Sequence, residues 1–435
     1  MKATVHPATP DPSTRSADGS GDRKLNRALR VLGPGLITGA ADDDPSGIAT
    51  HSQSGATYGF QILWTVIFTL PLMIAVQEAC MRIGAVTGQG LAAVVRRTYS
   101  RKVLYPVVLL VVAANSLNIG SDIGAMAASA QLLVPSVPLM PLSLGFAIVI
   151  VALEVFISYR VYIRVLKWLS LALFAYVVTA FFVNVPWGDA LLATVTPQVR
   201  LDGPFLYLLV AVLGTTISPY MFFWQASNVV EDEISEERKE DTDEPVPPRI
   251  SLGYLRRLRI DTVVGMVFAN LIAWFIMLIG AVVLNRGGVT NITTAAQAAE
   301  ALRPLVNGFP NAGVLAEIIF AIGVIGVGLM SVPVLAGSSA YAIAETFGWR
   351  EGLSRRFSQA RGFYVTIILG TVLGMSFNFL GIDPIQALVA TAVVNGLVSV
   401  PLILVIALLS SRSDVMGNYR SRFWSKAGLW VTFVV

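Results

Sequence analysis

Residues 33–50 read Gly33-Pro34-Gly35-Leu36-Ile37-Thr38-Gly39-Ala40-Ala41-Asp42-Asp43-Asp44-Pro45-Ser46-Gly47-Ile48-Ala49-Thr50. The stretch is placed as a membrane span, yet it sets three carboxylates, a proline and a glycine near mid-depth. A central aspartate costs about 3 kcal/mol even on the gentler insertion scale, so Asp42, Asp43 and Asp44 must face protein, water or a bound cation. Pro45 removes an amide donor and Gly47 relaxes the backbone. Together they predict an unwound stretch with free carbonyl oxygens inside the span.

The arrangement recurs at Leu213-Gly214-Thr215-Thr216-Ile217-Ser218-Pro219-Tyr220-Met221, where small polar residues again precede a proline. Around both stretches the chain is apolar: hydrophobic residues fill 55% of 435 positions and charged ones 13%, too little polar surface for a soluble globule. Spans of about 20 residues are predicted at 33–57, 58–81, 103–133, 138–160, 163–184, 204–230, 258–284, 312–345, 362–381 and 384–409. Ten spans divide into two sets of five, and the breaks fall in the first helix of each set. That predicts an all-α membrane protein built as a 5+5 inverted repeat with discontinuous first and sixth helices and a site at the midplane. Pro219 alone is explained as a kink; three aspartates beside Pro45 are not.

Residues 1–24 lack an apolar core and are expected to be a disordered cytoplasmic tail, with 25–435 forming the membrane domain. Only Arg200, Arg286 and Arg303 of the 31 Lys and Arg fall in loops on the outer side, which orients the N-terminus toward the cytoplasm of a bacterial-type inner membrane. The acidic run Glu231 to Glu244 before Pro245-Val246-Pro247-Pro248 reads as a solvated inner connector. Trp424 to Val435 starts like an eleventh span and stops at half the needed length, so a truncated or interfacial segment is expected. The single Cys80 excludes an internal disulfide and a thiolate metal cluster. The net charge of +4 comes from scattered loop residues and implies no nucleic-acid partner. Gly323-Val324-Ile325-Gly326-Val327-Gly328 sits in an apolar helix and reads as close packing. With no Walker sequence present, transport is expected to be secondary. Lipid and the transported ion are the expected partners, with the chain a monomer and no resident cofactor.

Carboxylate and carbonyl oxygens are hard ligands suited to Mg²⁺, Mn²⁺ or Ca²⁺. Imidazole and sulfur are scarce: His6 lies in the tail, while His51, one to two turns past the first break, and Met221 read more simply as packed residues than as ligands.

From Gly33 onward the sequence resembles the Nramp family of divalent-metal transporters, through Gly33-Pro34-Gly35, the Asp44-Pro45 break and the proline break of the sixth helix. The resemblance implies a LeuT-like fold, import of Mn²⁺ or Fe²⁺, and coupling to protons. Two motifs depart from the family pattern. The family's Asp-Pro-Gly-Asn reads Asp44-Pro45-Ser46-Gly47 here, and its Met-Pro-His reads Ser218-Pro219-Tyr220, so an asparagine, a thioether and an imidazole are gone. Such losses resemble the divergent Nramp-related branch that handles magnesium, and a roomy oxygen-lined site suits an ion that keeps several waters. Proton coupling is doubtful without the histidine.

On this reading Asp44 coordinates the ion directly, with carbonyl oxygens of Ala41 and of Thr216 or Ile217, and Ser218 holds a coordinated water. Asp42 and Asp43 point elsewhere around the helix. One lines the approach and the other pairs with a polar neighbour, in an order left open. Asn395, beside Gly396, contacts the ion or its waters. Asn115, Asn118 and Asp122 share one face of the third helix, for a relay or for interhelical hydrogen bonds. Gln77, Glu78, Glu154 and Glu317 are further intramembrane polar residues, Glu154 within reach of Arg160 and Arg164 as an inner-gate or anchoring pair. The expectation is a secondary transporter importing Mg²⁺ or Mn²⁺, and also Fe²⁺, by alternating access. The first rival is a sodium-coupled organic-solute symporter of the same fold, disfavoured by three aspartates. The second is an intramembrane aspartyl enzyme, disfavoured because no second aspartate is clearly presented opposite the break.

Overall fold

The computed structural model describes residues 44–156, 170–237, 252–353 and 355–435, within which every regular element is helical. In chain order the main helices are α1 (Pro45–Tyr58), α2 (Trp64–Thr87), α3 (Leu91–Thr98), α4 (Arg101–Leu133), α5 (Leu139–Phe156), α6 (Phe174–Phe182), α7 (Trp187–Val195), α8 (Gly203–Thr216), α9 (Pro219–Glu237), α10 (Leu252–Ile279), α11 (Ala312–Phe347), α12 (Arg361–Ser376), α13 (Pro384–Ser411) and α14 (Phe423–Val434).

Eight stretches of the described residues are long and apolar enough to cross a membrane: Trp64–Thr87, Arg101–Leu133, Leu139–Phe156, Gly203–Glu231, Leu252–Asn285, Ala312–Phe347, Arg361–Leu380 and Pro384–Ser411. They match the second to fourth and sixth to tenth expected spans. The first and fifth run into 33–43 and 157–169, so Ala41, Asp42, Asp43, Arg160 and Arg164 lie outside the described residues, as do the tail and residues 238–251.

Local chemistry sets the boundaries. Asp44 caps α1, accepting the Gly47 amide at 2.7 Å, and Pro45 fills a first-turn position where no amide is needed. Gly59, at φ 57°, turns the chain out of α1 into a 3₁₀ turn, Gly59–Ile62. For that reason α2 starts at Trp64 and not at 58, where hydropathy alone placed it. Asp202 and Asp383 cap α8 and α13 in the same way as Asp44, each before an early proline.

Further elements differ from the sequence reading, among them α7, which lies between the expected fifth and sixth spans. α9 continues to Glu237, so the first half of the supposed acidic connector is helix. The short amphipathic α3 was not foreseen; it buries Leu91, Ala92, Val94 and Val95 and exposes Arg96 and Arg97. α14 packs on α2, where Ser425 donates to Glu78 at 2.6 Å and Gly428 meets Ala75.

α10 and α11 lie deep in the molecule, whereas α5 and α12 turn most of their surface outward, carrying Ile148 and Leu369 into what would be lipid. The central pair is α4 with α11, running antiparallel. Asn115 donates to the Leu335 carbonyl and the Ser339 hydroxyl at 3.2 and 2.9 Å, Ser331 donates to Asp122 at 3.1 Å, and Gly328 admits the Met126 side chain.

Candidate metal centre

The sixth span is broken as expected: α8 ends at Thr216, Ile217 leaves helical geometry at φ −113° and ψ 62°, and α9 restarts at Pro219. The released groups already have partners. The Ile217 carbonyl accepts the Ser399 hydroxyl from α13 at 2.7 Å, and the Tyr220 carbonyl accepts Ser338 from α11 at 2.8 Å. Ser218 turns its hydroxyl back onto the Gly214 and Thr215 carbonyls at 3.1 and 2.8 Å, and Thr216 is buried beside it.

Asp44 is 1% exposed and its two oxygens differ. Oδ1 accepts both the Ser46 hydroxyl and the Gly47 amide at 2.7 Å, while Oδ2 is buried and no donor among the described residues meets it at full hydrogen-bond geometry. The Tyr220 side chain lies alongside the carboxylate. Ser46 also stands 3.5 Å from the Thr215 hydroxyl, which joins the first break to the second.

A second carboxylate lies within electrostatic range of this one. Asp122 is fully buried on α4 and close enough to Asp44 for their charges to interact, with Pro45 and Met126 both packed around Gly328. Ser331 satisfies Asp122 Oδ2 only; Oδ1 has no donor. One turn away, neither amide atom of Asn118 is paired, and the same holds for Asn395 on α13. Asn395 is bracketed by Thr391, 3.2 Å from Ser121 of α4, and by Ser399 at the second break. Each unpaired buried polar group costs about 1–3 kcal/mol, so this cluster makes physical sense around a cation and its waters.

Of the residues the sequence pointed to, Asp44 begins α1, Thr216, Ile217 and Ser218 lie at the second break, and Asn395 lies within α13, one turn from the Ser399 that reaches the Ile217 carbonyl. It left Asp122 with only a relay or packing role, because linear spacing shows which face a residue occupies and not which helix that face meets. His51 donates through Nδ1 to the Gly47 carbonyl at 2.7 Å and leaves Nε2 buried and unpaired, so it sits beside the break and not at its centre. Met221 is core. Glu154 is buried with no hydrogen-bond partner among the described residues, outside which its expected partners Arg160 and Arg164 lie.

Among the described residues, Pro45, Ile48, Ala49 and Ser52 meet Ile292, Phe320 and Leu388 across a crevice with room for roughly one water. Gln53 fastens the loop above: its Oε1 accepts the Ile292 amide at 2.7 Å and its Nε2 donates to the Thr290 carbonyl at 3.2 Å. Toward the C-terminal ends of α9 and α11, hydroxyl and carboxylate groups pair. Ser227 donates to Glu345 at 2.8 Å and Tyr341 donates to Glu231, while the Ala93 and Leu353 amides cap Glu345 and Glu231.

Comparison with known proteins agrees with this geometry. The family described as "Natural resistance-associated macrophage protein-like" (Nramp) matches residues 35–435. A divalent metal cation transporter MntH of Deinococcus radiodurans is 25% identical over 434 residues, covering 96% of this chain and 89% of that protein. The Acidiphilium cryptum MntH is 27% identical, covering 94% and 89%. Among solved structures, the Eremococcus coleocola manganese transporter superposes with a TM-score of 0.71 at 16% identity, covering 98% of this chain and 86% of that one. Mhp1, a nucleobase-cation-symport-1 family transporter, follows at 0.56 with 15% identity, covering 93% and 90%. The fold is thus the LeuT-like 5+5 repeat with discontinuous first and sixth helices.

Proposed function

Because this chain belongs to the Nramp family, a family of transporters and not of enzymes, we propose that it carries divalent metal cations across the membrane by alternating access, binding them between the breaks at Asp44 and Ile217. The observation that carries the proposal is the pair of half-satisfied, fully buried carboxylates, Asp44 and Asp122. Two such groups attract a cation and repel an anionic solute, which disfavours a symporter for organic acids or amino acids.

Mg²⁺ and Mn²⁺ fit the donors better than Fe²⁺. In this proposal the ion takes carboxylate Oδ2 of Asp44 and a carbonyl of Thr216 or Ile217, with the Ala41 carbonyl, which lies outside the described residues, as a further ligand, and its waters bond to Ser218 and to the unpaired amide of Asn395. No thioether or imidazole occupies the sixth-helix motif, and the Met-Pro-His of the family is Ser218-Pro219-Tyr220. Inward movement of a divalent ion gains about 4.6 kcal/mol per 100 mV, twice the single-charge value, so proton coupling is not required energetically. The chain works as an inner-membrane importer with its N-terminus in the cytoplasm.

The test is uptake of Mg²⁺, Mn²⁺ and Ca²⁺ into proteoliposomes at fixed inside-negative potential, with internal pH followed in parallel. Mg²⁺ and Mn²⁺ enter without acidification, and Asp44→Ala, inserted normally, does not transport. Full uptake by that variant overturns the site; Mn²⁺-selective uptake with acidification overturns the uncoupled hard-ion reading.

A further inference from the structure

Ser46 stands where the family motif has glycine, and its hydroxyl takes up half of the Asp44 carboxylate. We propose that Ser46 is a positioning residue that restricts Asp44 to one-oxygen coordination and so favours Mg²⁺ over Ca²⁺. The inference rests on the transport reading above.

Three distances carry it. Oδ1 of Asp44 receives Ser46 Oγ at 2.7 Å and Gly47 N at 2.7 Å, which fills both lone pairs, while Oδ2, beside the Tyr220 side chain, keeps a lone pair open among the described residues. Ser46 has a single hydroxyl hydrogen and spends it on Asp44. Thr215, 3.5 Å away, is therefore the donor in the Ser46–Thr215 pair, and the second break supports the hydroxyl that blocks Oδ1. All four residues are buried, so water does not compete for these bonds. The amide bond alone is an ordinary helix cap; the added hydroxyl is what closes Oδ1 to a metal.

Coordination chemistry turns this into selectivity. Mg²⁺ demands near-octahedral geometry, keeps several waters and is held by single carboxylate oxygens. Ca²⁺ accepts six to eight oxygens in loose geometry and uses both oxygens of one carboxylate readily. A carboxylate with Oδ1 occupied offers Mg²⁺ all it needs and denies Ca²⁺ the chelating pair. Removing the Ser46 hydroxyl leaves Oδ1 with one amide and one open lone pair.

The experiment is the Mg²⁺-to-Ca²⁺ uptake ratio of full-length protein in proteoliposomes, for wild type, Ser46→Ala, Ser46→Gly and Ser46→Thr. Ser46→Ala and Ser46→Gly are expected to lower the ratio about tenfold, the equivalent of one lost hydrogen bond's worth of discrimination. Ser46→Thr retains the hydroxyl and the ratio. A purely structural role would lower uptake of both ions together and leave the ratio unchanged. An unchanged ratio in Ser46→Ala and Ser46→Gly, or an equal fall in Ser46→Thr, overturns the inference alone. A wild-type protein that moves Mn²⁺ but neither Mg²⁺ nor Ca²⁺ overturns this inference and leaves the transport reading standing; one that moves none of the three overturns both.

Discussion

Gly214 lies flush against the carbonyl oxygen of Ala392: a methyl group on Gly214 would stand 1.9 Å from that oxygen and 2.4 Å from the Gly396 amide. Both obstacles are backbone, so neither can swing away. Gly214→Ala is expected to cost at least the 1–3 kcal/mol typical of overpacking and to separate α8 from α13, the helix whose Ser399 holds the Ile217 carbonyl. Thermal unfolding in detergent should show a clear drop in Tm, whereas Gly145→Ala on α5, with open space around it, should leave Tm unchanged.

Asp122 and Asp44 divide the attraction for the cation in this reading. Asp122→Asn keeps an oxygen for Ser331 and removes the charge. The expected result is a roughly tenfold or larger rise in KM for Mg²⁺, about 1.4 kcal/mol of lost binding, with a melting curve like wild type. An unchanged KM would confine the charge requirement to Asp44.

Gln53 is the fastening of the outer loop, through Ile292 and Thr290. Replacing it by leucine removes both bonds and should open the crevice above Ala49. A cysteine introduced at Ala49 should then react several-fold faster with an impermeant thiol reagent applied from outside. The native Cys80 is buried and contributes little background.

Glu351, in the loop after α11, is pushed up to about 9 by burial first and then by the neighbouring Glu345 and Glu231 charges. A folded-state value above the unfolded 4.5 means that the folded protein holds the proton more tightly. The stability this lends is full below about 4.5, declines as pH rises, and is gone above about 9. Unfolding measured between pH 6 and 9.5 should show that decline in wild type and a flatter profile in Glu351→Gln.

Much of this was legible in the sequence, for identifiable reasons. Proline and aspartate inside an apolar run have few physical explanations, so Asp44-Pro45 and Ser218-Pro219 located the breaks, and the apolar run lengths located the long helices. What hydropathy cannot report is partnership. Nothing in the linear pattern says that Asp122 looks at Asp44, that Ser399 reaches the Ile217 carbonyl, or that Ser46 and Thr215 meet across 169 positions. The α3 helix was missed because eight half-apolar residues fall below the length that signals a span. The Gly59 turn was missed because a positive φ leaves no mark on hydropathy.

Gly55 and Gly280 bring α1 and the π-helical end of α10, Gly280–Asn285, into direct backbone contact, with any Cβ at Gly55 falling 2.1 Å from the Met277 carbonyl. Two rods touching along their bare axes cannot roll past each other as rods cushioned by side chains can. When the outer gate swings, α1 and α10 must travel as one beam. The hinges are then left at the two ends of α1, where Asp44 begins the helix and Gly59 turns the chain out of it.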